Sequence, residues 1–196
     1  MKFERENFLN FIGWFLILLA VLNISFKIYY GFGHEVIWLC NNAPIVIGIG
    51  ILLRNQKVVL GTLALLFLGS LSWNLESAYL LIFGKTLFGG GDPFWGMNLI
   101  LKIGTITNHS MTLLLSLVAV FLINKKEKFA WAYGLAYGII LVGLAFIYPE
   151  RNYNCILEPC MGFIPNFKFY TVAYILFYLT FFMIPFTWII NKFMKN

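Results

Sequence analysis

Residues 97–123 read MNLILKIGTITNHSMTLLLSLVAVFLI, an apolar run that a few polar side chains interrupt. Crossing the hydrocarbon core of a bilayer takes about 20 residues of α-helix, so this run is long enough to span a membrane. The run is continuous and does not alternate in polarity, which predicts a helix and argues against a strand of an outer-membrane barrel. This stretch therefore assigns the chain to the helical membrane proteins.

The composition of the whole chain leads to the same class. Of its 196 residues, 61% are hydrophobic and 11% are charged, and the mean hydropathy is +0.83. A soluble domain carries about a quarter charged residues, so this chain cannot cover a globule with polar groups. The aromatic share of 19% excludes a disordered chain. The net charge of +6 gathers at the ends of apolar runs, so we expect no nucleic-acid partner.

The sequence predicts an all-α integral membrane protein with six transmembrane helices in a single domain, residues 1–196. The first apolar run follows two basic residues, as in a signal peptide, but it lacks a small-x-small cleavage site. We therefore predict a retained anchor. The six predicted spans are 8–28, 34–53, 58–83, 97–123, 130–149 and 167–190.

Basic residues near the ends of the spans predict the orientation. With six spans, the two termini and the second and fourth loops share one side of the membrane. That side carries nine basic residues and the other side carries four. We therefore predict cytoplasmic termini and a location in the plasma membrane. The nine are Lys2, Arg5, Arg54, Lys57, Lys125, Lys126, Lys128, Lys192 and Lys195, and the four are Lys27, Lys85, Arg151 and Lys168.

Two of the three cysteines, Cys155 and Cys160, lie in the loop after the fifth predicted span. The predicted topology places this loop outside the cell, where disulfides persist. The spacing of the pair and the intervening Pro159 allow a short ring to close, so we predict a disulfide. The alternative is two free loop thiols.

Three residues with ionisable or reactive side chains stand well inside predicted spans, away from their ends: Cys40, Glu76 and His109. Such groups are costly in a bilayer and are candidates for function. They lie about 6–9, 10–12 and 18 Å below the outer ends of their spans. Three helices thus bring them into the outer half of the bilayer, which favours a shared site. Each also has a structural alternative, since a lone His or Glu often joins two helices and a lone Cys is usually a small apolar residue.

Further polar side chains accompany these three. Thr105, Asn108, His109, Thr112 and Ser116 follow helical spacing and form one polar face. On a membrane helix such a face must look into the bundle or into a water-filled cavity. The residues expected to contact a substrate are Asn41, Asn42, Trp73, Asn74, Asn108, Thr105 and Thr112.

Several of these positions carry a family resemblance. The stretch HEVIWLCNN at 34–42 resembles the second-span motif of the bacterial YwaF-type six-span proteins, in which a Cys ends an apolar-His-Leu-Cys run. LESAY at 75–79, followed by GGGDP at 89–93, resembles the Glu-containing third span and Pro-bearing outer loop of that family. NHS at 108–110 resembles its fourth-span His motif. Together these motifs cover residues 34–123.

Eukaryotic relatives of that family include a transmembrane phospholipid acyltransferase and the androgen-induced hydrolases of fatty-acid esters. The resemblance implies an intramembrane acyl-transfer site that acts on a membrane lipid, with Cys40 as nucleophile and His109 as base. In such a site Glu76 would orient the imidazolium, and Asn108 or Asn41 would donate hydrogen bonds to the oxyanion. This chemistry needs no cofactor.

Two other classes of function fit the same residues. A non-enzymatic binder, such as the small-molecule-binding subunit of a vitamin transporter, is also a basic six-span protein of about this length, with its ligand site at the outer face. Glu76, His109 and the asparagines would then contact the ligand. In a purely structural interpretation, the polar groups only join helices. Because Cys40, Glu76 and His109 differ in depth, we expect no metal site.

Gly134 and Gly138 form a GxxxG pair on the fifth predicted span. This spacing lets two helices approach closely, so it predicts tight helix packing. The same surface is also the one through which we expect a homodimer to form.

Overall fold

The computed structural model of the chain describes residues 2–88, 94, 96–147, 155–159 and 169–195. Within these ranges the chain is helical and has no β-strand apart from one isolated bridge, Lys125 to Lys195. The predicted all-α class is therefore confirmed. The elements are α1 (Lys2–Tyr29), a 3-10 helix (Gly33–Ile37), α2 (Leu39–Leu52), α3 (Gln56–Phe83), α4 (Leu99–Ile123), α5 (Ala130–Ile147), α6 (Tyr170–Tyr178), a π-helical turn (Leu179–Met183) and α7 (Ile184–Lys192).

Five helical segments are long and apolar enough to cross a membrane, as expected of a multi-pass membrane protein. They correspond to the first, third, fourth, fifth and sixth predicted spans, and α6, the π-helical turn and α7 form the last of them. The predicted limits at 149 and 167 lie outside the described residues. The five segments are Phe3–Tyr29, Gln56–Phe83, Leu99–Ile123, Ala130–Ile147 and Tyr170–Lys192.

The second predicted span, 34–53, does not form as one helix. A 3-10 helix ends at Ile37, Trp38 is extended with φ −60° and ψ 135°, and α2 follows with 14 residues. Side-chain amides satisfy the carbonyls at this break. Asn42 Nδ2 donates to the carbonyls of Ile37 and Trp38 at 3.0 Å each, and Asn41 Nδ2 donates to that of Glu35 at 2.6 Å. Because these local bonds compete with the helical ladder, they stabilise a junction that apolar periodicity alone does not reveal.

The central core lies among α1, α2, α3 and α4. α1 packs on α2 and α4, and α3 packs on α2, α4 and α5. The apolar faces that meet there are buried almost completely, which is where a bundle gains most of its dispersion energy. The fully buried side chains of this core include Leu9, Ile12, Leu16, Ile47, Ile51, Leu60, Leu63 and Val120.

The backbones of α3 and α5 touch at Gly61 and Gly134. A Cβ added at Gly134 would overlap the carbonyl oxygen of Gly61, and one added at Gly61 would overlap that of Ala130. Gly138 faces the Leu65 side chain of the same α3. The close packing predicted from the GxxxG pair is therefore confirmed, but inside the chain. A homodimer through Gly134 and Gly138 would need a surface that α3 already covers.

Hydrogen bonds and an ion pair hold together the end of the bundle near the two termini. Arg54, which has a left-handed backbone with φ 52°, donates to the Glu6 carboxylate at 2.7 Å and to the Asn10 side chain at 2.8 Å. On the other flank, Asn191 accepts from the Glu127 backbone N–H at 2.9 Å and donates to its carbonyl at 3.0 Å. These bonds tie α1 to the α2–α3 turn and α7 to the α4–α5 loop.

Candidate functional site

The polar face of α4 lies inside the bundle. Asn108 is fully buried, His109 is 5% exposed, and Thr105, Thr112 and Ser116 are buried as well. Periodic polar residues on an otherwise apolar helix can reach water only through the interior, and the fold places them there.

His109 is held by an aromatic side chain of α3. The rings of Trp73 and His109 stack with centroids 4.0 Å apart and an interplanar angle of 12°. Phe94, from the segment before α4, meets Trp73 edge-on at 5.5 Å. His109 Nδ1 is buried and has no hydrogen-bond partner among the described residues. The imidazole is thus oriented by stacking, with one nitrogen left unused.

Glu76 lies one turn after Trp73 on α3 and is 8% exposed. Its Oε2 accepts from the backbone N–H groups of Leu87 and Phe88, both at 2.9 Å. Its Oε1 is buried and has no partner in the described part of the chain. The ion pairs of the described residues do not include Glu76. Oε2 of this carboxylate thus holds the segment at Leu87 and Phe88, whereas Oε1 is available to another partner.

Asn108 joins α4 to α2. Its Nδ2 donates to the carbonyl of Cys40 at 2.7 Å, whereas its Oδ1 is buried without a partner among the described residues. A second bond at this level, from the Ser110 hydroxyl to Asn74 Oδ1 at 2.9 Å, joins α4 to α3. The predicted contact residue Asn74 therefore bonds within the chain. We call Trp73, Glu76, Asn108 and His109 the open cluster.

The thiol of Cys40 is not engaged with the imidazole. Cys40 is a free cysteine that packs, half-buried, against the apolar core. Since His109 Nδ1 has no partner among the residues described, no hydrogen bond joins it to the thiol. The fold brings the backbone of Cys40 to Asn108 and leaves the predicted nucleophile–base contact unformed.

Asn41 and Asn42, predicted to contact a substrate, make their hydrogen bonds inside the chain. Asn41 Oδ1 accepts from the Asn23 amide at 2.9 Å, in addition to the bond that Asn41 donates to Glu35. Asn42 Oδ1 accepts from the Tyr137 hydroxyl of α5. Both amides hold the junction before α2 to neighbouring helices.

A buried ion pair stands beside these amides, and sequence reasoning missed it. Lys27 is only 2% exposed, and its Nζ donates to Glu35 Oε2 at 2.5 Å. Lys27 lies at the end of an apolar run, a position typical of a flanking charge, and the prediction of orientation treats it as one. The signal that could have revealed the pair is Glu35, eight residues on, within reach after a tight turn. We call Asn23, Lys27, Glu35 and Asn41 the paired cluster.

The two predicted threonines differ. Thr105 contacts the Met97 sulfur at 4.0 Å, whereas the Thr112 hydroxyl is buried without a partner among the described residues. The hydroxyls of Ser70 and Ser77 on α3 share that condition. Native interiors leave few such atoms unsatisfied, and water or a ligand is their usual partner when the chain supplies none.

Some predicted features lie partly outside the described residues. Cys160 and the 89–93 motif are among them, so the pairing of Cys160 with Cys155 stays a prediction. Within the described ranges, no three His, Cys, Asp or Glu side chains are placed to hold a metal ion.

Comparison with known proteins leaves the resemblance to the YwaF-type family as a hypothesis. No family model, no curated protein and no solved structure matches this chain.

Proposed function

We propose that this chain binds a small molecule inside the bilayer, at the open cluster formed by Trp73, Glu76, Asn108 and His109. One observation carries the proposal. Three buried atoms of different side chains, Glu76 Oε1, Asn108 Oδ1 and His109 Nδ1, have no hydrogen-bond partner among the described residues. They belong to neighbouring turns of two packed helices, beside a stacked pair of aromatic rings.

The cost of this arrangement argues for a ligand. A buried polar group without a partner costs about 1–3 kcal/mol, and a charged group costs more. The amides of Asn41 and Asn42 are satisfied within the chain, whereas Gln56 Oε1, far from the open cluster, also lacks a partner among the described residues. A ligand that fills the open cluster would recover the missing hydrogen bonds, whereas packing alone gains nothing from leaving them unmade.

The experiment is to identify what the protein carries. The chain is extracted from its native membrane in mild detergent, and small molecules released on denaturation are quantified by mass spectrometry. We expect a near-stoichiometric compound in the wild type and its loss in His109→Leu. Thr187→Val is the matched control, because Thr187 is buried on α7 and its hydroxyl bonds to Ile184. Equal occupancy in wild type and His109→Leu would contradict the proposal.

A second candidate is the lipid acyl hydrolase or acyltransferase that the resemblance implies. The bond from Asn108 to the Cys40 carbonyl supports it, because it holds Cys40 next to the residue that precedes His109. In this mechanism His109 takes the thiol proton and the thiolate attacks a lipid ester. The alcohol leaves with that proton, and water or a second alcohol then cleaves the thioester. The thiol would first have to turn toward the imidazole.

An alkyl iodoacetamide distinguishes this candidate from a binder. If the candidate holds, the reagent labels Cys40, and the labelling rate falls in His109→Leu but not in Thr187→Val. Labelling that is independent of His109 would reject the acyl-transfer mechanism. Binding at the open cluster does not need the thiol and would survive that result.

We further propose six crossings of the plasma membrane, with both termini in the cytoplasm. The short α2 rises about 21 Å, and the preceding 3-10 helix adds about 10 Å, which together match a hydrocarbon core of about 30 Å. Single cysteines introduced into a background in which Cys40, Cys155 and Cys160 are all replaced by Ala test this topology with an impermeant thiol reagent. Lys126→Cys should stay unlabelled in intact cells and Lys85→Cys should react. The reverse pattern would overturn the orientation.

A further inference from the structure

The chemistry of the open cluster indicates which class of ligand it would accept; this step rests on the proposed binding function. The first observation concerns charge. Among the described residues, Lys27 pairs with Glu35, and Arg5 and Arg54 pair with Glu6, but no described cation pairs with Glu76.

The nearest lysine along α4 does not fill this role. Lys102 lies two turns before His109, and its ammonium stands over the ring of Phe94, 5.9 Å from the centroid. Glu76 Oε1 therefore faces the interior with neither a cation nor a hydrogen-bond donor from the described chain. A buried carboxylate oxygen without a cation or a donor is costly, so this atom favours a ligand that supplies one.

The second observation concerns the balance of donors and acceptors. Asn108 uses its amide N–H on the Cys40 carbonyl, so the atom left over is the oxygen, which only accepts. Glu76 Oε1 likewise accepts. The imidazole nitrogen of His109 accepts when it carries no proton. The hydroxyls of Ser77 and Thr112 can either donate or accept a hydrogen bond. Two of the three unpartnered atoms in the open cluster, Glu76 Oε1 and Asn108 Oδ1, can thus only accept, and a ligand would supply their donors.

We propose that the ligand presents a cationic hydrogen-bond donor, an ammonium or a protonated ring nitrogen, to Glu76 Oε1 and Asn108 Oδ1. Its apolar part would lie along the aromatic wall formed by Trp73 and Phe94. A carboxylate or phosphate would be repelled by Glu76. A neutral ester would bring acceptors to a cluster that already has a surplus of them. The class is therefore an amphiphilic amine.

A matched series of amphiphiles tests this class on the purified wild-type protein. Decylamine, decanol and decanoate have the same chain and differ only in the head group. Each is added below its micellar concentration, and the midpoint of thermal unfolding is recorded in a mild detergent. We expect decylamine to raise the midpoint in a saturable manner, decanol to have a small effect and decanoate to have none. Decanoate or decanol matching decylamine, or decylamine giving no shift, would overturn the inference.

Glu76→Gln sharpens the test, because it keeps an acceptor for the Leu87 and Phe88 N–H groups while it removes the charge. The decylamine concentration for half-maximal stabilisation should rise about tenfold or more, as expected for a lost charge-assisted hydrogen bond. Glu127→Gln is the charge-matched control at the other end of the bundle and should leave that concentration unchanged. The wild-type series decides the question even if Glu76→Gln fails to fold.

The two proposals can fail separately. A compound that depends on His109 and has no basic nitrogen would overturn the inference and leave the binding function standing. The absence of any such compound would reject the binding function itself.

Discussion

The paired and open clusters show two ways in which a membrane bundle treats a buried charge. In the paired cluster, Lys27 and Glu35 neutralise each other at 2.5 Å. In the open cluster, Glu76 is more buried than Glu35, yet one of its oxygens has no partner among the described residues. The chain pairs the first carboxylate by itself and leaves one oxygen of the second without a partner. On the proposed binding function, that oxygen is where a ligand would bond.

The difference between the two clusters predicts whether a mutation lowers the stability of the protein or its binding of a ligand. Removing one member of a completed pair leaves an uncompensated charge, so the protein loses stability. Removing the charge of Glu76 while keeping an acceptor for Leu87 and Phe88 breaks no ion pair among the described residues, so we expect stability to change little and binding to be lost instead.

Lys27→Met should have the largest effect on stability. It leaves the Glu35 carboxylate without its partner, and because that side chain is 21% exposed we expect a loss of about 3 kcal/mol, the lower end of the range for a buried ion pair. The measurement is the free energy of unfolding in detergent, by denaturant titration. The double variant Lys27→Met/Glu35→Leu should recover most of the loss, because neither charge then remains. A single variant as stable as the wild type would show that the pair does not act as a neutral unit.

Asn41→Ala should destabilise the protein by about 2 kcal/mol, because it leaves the Asn23 amide and the Glu35 carbonyl without partners in the interior. It should not change the amount of bound compound, since Asn41 belongs to the paired cluster. Loss of the compound in a folded Asn41→Ala protein would show that the binding site includes the paired cluster. The two clusters would then not differ in function.

Glu76→Gln should change the free energy of unfolding by less than about 1 kcal/mol, because the glutamine oxygen still accepts from Leu87 and Phe88. Its effect should appear in the quantity of bound compound, which falls. A loss of stability as large as that of Lys27→Met would mean that Glu76 is chiefly structural.

Cys40→Ser should have the smallest effect. The thiol makes no hydrogen bond to His109 Nδ1, and a hydroxyl of similar size can take its place. Occupancy by the bound compound should change by less than about twofold. If Cys40→Ser abolishes an esterase activity that the wild type shows, this result would support the acyl-transfer candidate, even though no hydrogen bond joins the thiol to His109 Nδ1.

The sequence predicted the helices better than the contacts between them. Long apolar runs are a property of local composition, so five of the six predicted spans correspond to helical segments of membrane-spanning length. The break at Trp38 depends on the amides of Asn41 and Asn42 and on their partners in other elements. The spacing of apolar residues within 34–53 therefore cannot predict the break.

The site was predictable in part for the same reason. Helical spacing predicted a polar face on α4, which the structure buries, and the structure adds the stack of Trp73 on His109. Spacing does not report which way a side chain turns, so the engagement of Cys40 with His109 could not be read from it. The role of Lys27 was predicted wrongly because a count of basic residues near span ends uses only their position. It does not consider a carboxylate partner eight residues away.

The contact between Gly61 and Gly134 has a mechanical consequence. It clamps α3 to α5 at a point where neither backbone has room to slide. Glu76 lies fifteen residues further along α3, or about 22 Å from the clamp. A rotation of about 5° at this pivot would carry Glu76 about 2 Å sideways. A small tilt of α3 about the glycine contact would thus displace Glu76 by a distance comparable to the length of a hydrogen bond.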